Sequence, residues 1–264
     1  MRKMIFLCLA LLLCLPLASY AGSIGGAKTQ GQGKFSISLD QEFVFKRDLE
    51  FDKMMGGLEP GEEVKDAEVK KMYRTMLKTS YGVLENLDVF VKLGVADWDG
   101  EAKWYENGVY DGKEIHKGKN ALAYGIGLKA TYPLENDWLI GADLQYLRHK
   151  NNYSAKDIDA DPTHPDETGK GKMTAQEWHI APYIAKKIGN FTPYLGAKYS
   201  DLRIKAKEKE WEGESSDWWI KFKAKRNVGL FLGTDYKIAD NWKFNLEGRF
   251  VDETAMSLAA TYKF

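Results

Sequence analysis

The sequence predicts an all-β protein, a transmembrane antiparallel up-and-down β-barrel of ten strands with long outer loops and short periplasmic turns. Three observations predict it. The last ten residues alternate strictly: Met256, Leu258, Ala260, Tyr262 and Phe264 form an apolar face, and Ala255, Ser257, Ala259, Thr261 and Lys263 a small, polar one. Such period-two alternation is a strand with one face in an apolar medium. Nine earlier segments alternate in the same way, and their connections run long, short, long, short. Aromatic residues fall in two bands, as at the two interfaces of a bilayer.

The N-terminus fits an exported protein. Arg2 and Lys3 precede an apolar run from Ile5 to Leu17, and Ser19-Tyr20-Ala21 supplies small residues for cleavage before Gly22. Residues 1–21 therefore read as a Sec signal peptide. The run is shorter than the roughly 20 residues that a spanning helix needs. Cys8 and Cys14 both lie in it, and Cys14 lacks the preceding small residue of a lipoprotein box. The mature chain then holds no disulfide, thiolate metal site or cysteine nucleophile. Without Arg2 and Lys3, the 38 basic residues become 36 against 38 acidic, a net charge of −2. That balance argues against nucleic acid as a partner. Residues 22–33, GSIGGAKTQGQG, are glycine-rich and read as a flexible periplasmic lead-in. The barrel is expected over 34–264.

The strands follow in order. The first sets Phe35, Ile37, Leu39, Phe43 and Phe45 against Ser36, Ser38, Asp40, Glu42 and Lys46. A polar stretch with Gly56-Gly57 and Pro60-Gly61 makes residues 49–70 a loop. The second, near 71–81, carries Leu77, Thr79 and Tyr81 opposite Arg74 and Lys78; the third carries Val89, Val91 and Leu93 opposite Asp88 and Lys92. A loop is expected over 97–119. The fourth strand shows Leu122 to Tyr132 outward and Lys129 inward, and the fifth Trp138 to Tyr146 outward and Asp143 inward. A third loop covers 150–172. The sixth strand sets Trp178, Ile180 and Ile184 against His179 and Tyr183, with Pro182 distorting the ladder. The seventh has Leu195, Ala197 and Tyr199 outside and Lys198 inside. Its apolar set then shifts to Leu202, Ile204 and Ala206, which reads as a β-bulge near Asp201. After a fourth loop over 208–218, the eighth strand faces Asp235 inward, and the ninth faces Lys243, Glu247 and Arg249 inward. Asp252-Glu253-Thr254 is a brief loop before the tenth strand.

The ending Leu258, Tyr262, Phe264 resembles the C-terminal signal strand of bacterial outer-membrane β-barrels, whose final aromatic is read by the assembly machinery. With the architecture from Lys34 to Phe264, it makes the chain similar to the outer-membrane barrel superfamily of OmpX/Opa-like and small porin-like proteins. The resemblance implies a place in the outer membrane of a Gram-negative-type bacterium with both termini periplasmic. It also implies outer-membrane lipids including lipopolysaccharide, and the barrel-assembly machinery, as partners. A soluble lipocalin-like barrel would use the same alternation with its faces reversed. The leader, the terminal Phe264 and the charges on the second face favour the membrane.

The lumen is then lined by Asp40, Glu42, Asp88, Asp143, Asp235 and Glu247, and by Arg74, Lys78, Lys92, Lys129, Lys198, Lys243 and Arg249. Mixed charge in a narrow tube pairs with itself, and a barrel of about eight strands is already filled by its side chains. The reading favoured is a plugged, non-enzymatic surface barrel, structural or binding a surface ligand through its loops. A small channel for ions or solutes is the alternative. No cofactor or metal is expected: Asp157, Asp159 and Asp161 have calcium-loop spacing, but Pro162 and Thr168 occupy positions that need Gly and Glu. Trp98, Trp104, Trp211, Trp218 and Trp219 read as girdle and loop packing rather than a sugar-binding surface. Asp97 and Asp99 resemble the aspartate half of an omptin-type protease site at the rim, but the fourth loop has no histidine for the other half.

Overall fold

The computed structural model describes residues 22–264. The expected signal peptide lies outside them. The chain forms fourteen strands: β1 (Phe35–Met54), β2 (Glu62–Leu84), β3 (Leu87–Ala96), β4 (Asp99–Glu106), β5 (Val109–Gly118), β6 (Ala121–Pro133), β7 (Trp138–Asp159), β8 (Glu167–Lys186), β9 (Phe191–Trp211), β10 (Glu214–Ser215), β11 (Trp219–Ala224), β12 (Val228–Lys237), β13 (Trp242–Phe250) and β14 (Thr254–Lys263).

All of the pairing is antiparallel, and it closes two stacked rings. At the end with the tight turns, ten strands close in the order β1, β2, β3, β6, β7, β8, β9, β12, β13, β14 and back to β1. At the loop end, the hairpin β4–β5 takes the place of β3 and β6 between β2 and β7. There β11 alone bridges β9 and β1. The loop-end ring therefore has eight strands. Five strands, β1, β2, β7, β8 and β9, run through both rings and are 20 to 23 residues long. At about 3.3 Å per residue, 20 residues reach about 66 Å, roughly twice a bilayer's ~30 Å hydrocarbon layer. Half of each long strand therefore stands clear of a membrane.

The chemistry of the wall inverts between the rings. In the ten-stranded ring, Leu39, Leu77, Val91, Ile126, Ile140, Ile180, Leu195, Leu232 and Leu258 are exposed, and charged residues are buried. Only a lipid environment makes that arrangement favourable. In the eight-stranded ring the buried residues are Val44, Leu49, Val69, Met72, Trp98, Tyr153, Met173, Leu202, Ile204, Ile220 and Phe222. Its outer face is Lys-rich, including Lys150, Lys172, Lys205 and Lys223. That half is built as a barrel in water.

This inversion corrects the strand count and the seventh strand. Fourteen strands form instead of ten, because the stretches read as polar loops over 49–70, 97–119, 150–172 and 208–218 largely continue as sheet. No bulge occurs at Asp201. From Tyr199 to Lys207, β9 stays in one register with β8, and what changes is which face is apolar. Opposite Pro182 the β8–β9 ladder is interrupted and resumes in the same register. A register irregularity does occur in β1, between Val44 and Lys46. It turns Lys46 outward, against expectation, and brings Arg47 inside.

Candidate functional site

The interior of the ring is the candidate site. Of the thirteen charged residues read as lumen-lining, all but Lys243 are 5% exposed or less, and Lys243 is partly buried. Alternation in the strands points them inward, and the ring gathers them into two layers, beyond which lies a third, apolar one.

The layer nearest the turns holds residues 22–33. The glycine-rich segment read as a lead-in outside the barrel runs inside the lumen. Ser23 N–H donates to Glu42 Oε1 at 3.1 Å and Ala27 N–H to Asp235 Oδ2 at 3.0 Å. Gln30 N–H donates to both oxygens of Asp88 at 3.0 Å. Lys92 Nζ donates to the Ser23 carbonyl and Lys78 Nζ to that of Ile24, each at 3.3 Å. Lys129 donates to the carbonyls of Ile24 and Gly26. Backbone amides with no strand partner are thus satisfied by lumen side chains. Gly82 allows the segment's entry, since a Cβ there would overlap the Gly31 carbonyl oxygen. The cavity left among Gly25, Lys78, Asp88 and Lys129 is about 10 Å³, about the room for one water.

The middle layer is an ion-pair network centred on Glu42, Arg249 and Arg47, with two separate pairs beside it. Glu42 lies 3.5 Å from Arg74 and 3.8 Å from both Lys92 and Arg249. Asp40 faces Lys92 at 3.7 Å, Asp143 faces Lys129 at 3.7 Å, and Asp235 faces Lys243 at 3.4 Å. Arg249 pairs with Glu247 at 3.1 Å, and Lys198 with Asp252 at 3.0 Å and with Glu253. Arg47 donates to Glu177 at 2.7 Å and to Glu253 at 3.3 Å. Arg47, Glu177, Asp252 and Glu253 were not among the expected residues. Glu177 alternates with His179 and was legible as inward. Arg47 was hidden by the irregularity in β1, and Asp252 and Glu253 by a turn at Val251, whose φ is +83°.

The third layer is the apolar core of the eight-stranded ring. Trp98 is buried in it, and Trp104, Trp211 and Trp218 pack against it. One titratable cluster interrupts this core. His116 Nε2 lies 2.8 Å from Glu114 Oε1, and its ring lies against Trp98 and Tyr153. Burial opposes the charged imidazole, but Glu114 outweighs it and leaves the His116 pKa above its ordinary 6.5. Protonated His116 thus stabilises this end. That contribution is complete below about 6.5 and is lost as pH rises through the raised value. An NMR titration of the imidazole is expected to read a pKa above 6.5. In Glu114→Gln the value should fall below it, since burial is then opposed only by the weaker pull of Glu208. A value unchanged by the substitution would exclude the pairing.

The rim residues do other work. Asp97 Oδ1 accepts the Tyr73 amide at 2.7 Å, and Asp99 sits opposite Lys117. Asp159 and Asp161 accept backbone amides of their own turn, at 2.7 and 2.9 Å. On the outer wall, Phe35, Tyr262 and Phe264 cluster at the turn end, with Tyr262 and Phe264 at 4.9 Å and Phe35 and Phe264 at 5.2 Å. Leu258 is exposed on the same face.

A closed antiparallel ring, apolar outside and charged inside, is the architecture of an outer-membrane β-barrel, and this chain has that fold. Residues 45–168 match the family model of the OmpA-like transmembrane domain. In three dimensions the chain is similar to the outer-membrane protease OmpT of Escherichia coli, with a TM-score of 0.52 and 10% identity over 88% of this chain and 95% of that one. The translocator domain of the autotransporter NalP from Neisseria meningitidis gives 0.45 and 13% over 90% of each chain. OprG from Pseudomonas aeruginosa gives 0.37 and 11% over 92% and 99%. No curated protein sequence is similar to the chain. These likenesses concern the fold.

Proposed function

We propose that this protein is a closed, non-enzymatic barrel that carries a water-exposed β-tower, made by its eight-stranded ring, on the outer surface of the outer membrane. One observation carries the reading: the interior is occupied along its whole length, by residues 22–33, then by the ion-pair network, then by the apolar core. An ion crossing it would have to break buried pairs and then dehydrate among Met72, Met173 and Ile204. In this reading the loops lie outside and both termini in the periplasm, where Leu258, Tyr262 and Phe264 would meet the assembly machinery. Against a rim hydrolase, Asp97 is engaged by the Tyr73 amide, and His116 is enclosed behind Trp98 and Tyr153.

The test is single-channel recording of the refolded mature chain in a planar bilayer. No conductance steps are expected from correctly folded, heat-modifiable protein. Discrete, reproducible steps would establish the channel instead.

A further inference from the structure

The outer wall of the tower is not uniform. Over β1, β2 and β4 its charges are mixed and paired. Lys46 lies 3.3 Å from Asp48 and 3.2 Å from Glu68, Lys70 lies 2.9 Å from Glu101, and Lys103 lies 3.0 Å from Asp66. Over β7, β8, β9 and β11 the outward residues above the aromatic band include six cations, Arg148, Lys150, Lys172, Arg203, Lys205 and Lys221, and one carboxylate, Asp201. Cross-strand register sets like charges against each other. Lys221 is opposite Lys205 on one side and Lys53 on the other, and Lys172 is opposite Lys207. Like charges directly opposite destabilise a sheet, so this wall favours an anionic neighbour. Among the described residues, Arg148, Lys150, Lys172, Lys205 and Lys221 make no ion pair. Arg203 pairs with Asp201 at 3.0 Å, Lys207 with Asp217 at 2.8 Å and Lys223 with Glu50 at 2.8 Å.

The wall is also concave. A groove of about 360 Å³ is lined by Arg148, Thr174, Gln176, Arg203, Lys205 and Lys221, with Asp52 and Lys53 at one side. Thr174 and Gln176 add neutral polar side chains to the cations. The groove's height identifies its occupant. Tyr146 is opposite Trp178, and Trp178 meets Tyr199 at 5.4 Å. Arg148 and Gln176 follow two residues further along the same strands. Aromatic rings mark the interface of a bilayer, and phosphates lie just beyond it.

We infer that the basic groove on β7, β8, β9 and β11 is a binding site for the phosphorylated headgroup of an outer-leaflet glycolipid. Its acyl chains would lie along the apolar belt below, and its phosphates would bridge cations that otherwise repel. The site is on the outer wall, so the inference is independent of whether the lumen conducts.

The test titrates the refolded full mature chain, in neutral detergent, with fluorescent bisphosphorylated lipid A. The dephosphorylated lipid and inorganic phosphate are the competitors. Binding is expected for the phosphorylated lipid, weakening with added salt. In the triple variant Arg148→Gln, Arg203→Gln, Lys205→Gln it should weaken by about tenfold or more, as charge-assisted bonds are lost. The opposite-wall variant Lys46→Gln, Lys70→Gln, Lys103→Gln should bind as the parent does. All six side chains point outward, and heat-modifiable migration checks folding. Equal competition by the dephosphorylated lipid would overturn the inference, as would unchanged affinity in the triple variant. Displacement by inorganic phosphate at matched concentration would make this a free-anion site and overturn the lipid assignment.

Discussion

Arg47→Ala is expected to lose about 3–5 kcal/mol of stability, the usual cost of removing one partner from a buried pair. Arg47 is 1% exposed, and its guanidinium reaches Glu177 at 2.7 Å, Glu253 at 3.3 Å and Ser200 at 2.9 Å. Alanine removes the shared partner of two buried carboxylates, leaving Glu177 with Arg74 at 3.6 Å and Glu253 with Lys198 and Arg249. Arg47→Lys keeps the charge but not the planar fork, and should cost less. Urea unfolding of the refolded barrel, followed by tryptophan fluorescence, measures both. A loss below about 1 kcal/mol, as at solvated pairs, would mean that Glu177 and Glu253 are hydrated. It would therefore also count against a closed lumen.

Ile204→Asp and Lys205→Asp should differ sharply although the residues are adjacent. Ile204 is 2% exposed in the tower core, opposite Ala175 on β8 and Phe222 on β11. An aspartate there is an unpaired charge among apolar neighbours, and the loss should exceed about 4 kcal/mol. Lys205 is exposed and faces Lys221, so its replacement by aspartate should stay within about 1 kcal/mol of the parent or stabilise it. The two results would exchange places if a bulge at Asp201 turned Ile204 outward. Limited proteolysis of the tower, together with the unfolding midpoints, reads the difference.

The sequence by itself determined the ring. Period-two alternation, ten apolar faces and a terminal Tyr262–Phe264 pair are local patterns, and each strand carries its own copy. The inward positions of Asp40, Glu42, Lys92, Lys129 and Asp143 follow from that period alone. What alternation does not carry is the medium on either side of the wall. At Tyr199–Leu202 the apolar residues change faces, and in one dimension this looks like a slipped register. Only the closed sheet shows the strand continuing out of the lipid, so that water is now outside and the apolar side chains turn inward.

Tertiary structure also decided the contents of the lumen. Glycine-rich residues 22–33 have no periodicity that would announce a binding partner. They lie inside because Glu42, Asp88, Asp235, Lys78 and Lys129 converge there from strands far apart in sequence and satisfy an extended backbone that no strand pairs with. The basic groove has the same origin. Arg148, Arg203 and Lys221 are ordinary surface cations along the chain, and only the pairing of β7, β8, β9 and β11 sets them side by side above the aromatic band. The physical reason is common to all three cases. A strand's period fixes which way a side chain points, while the closed sheet fixes what it meets there.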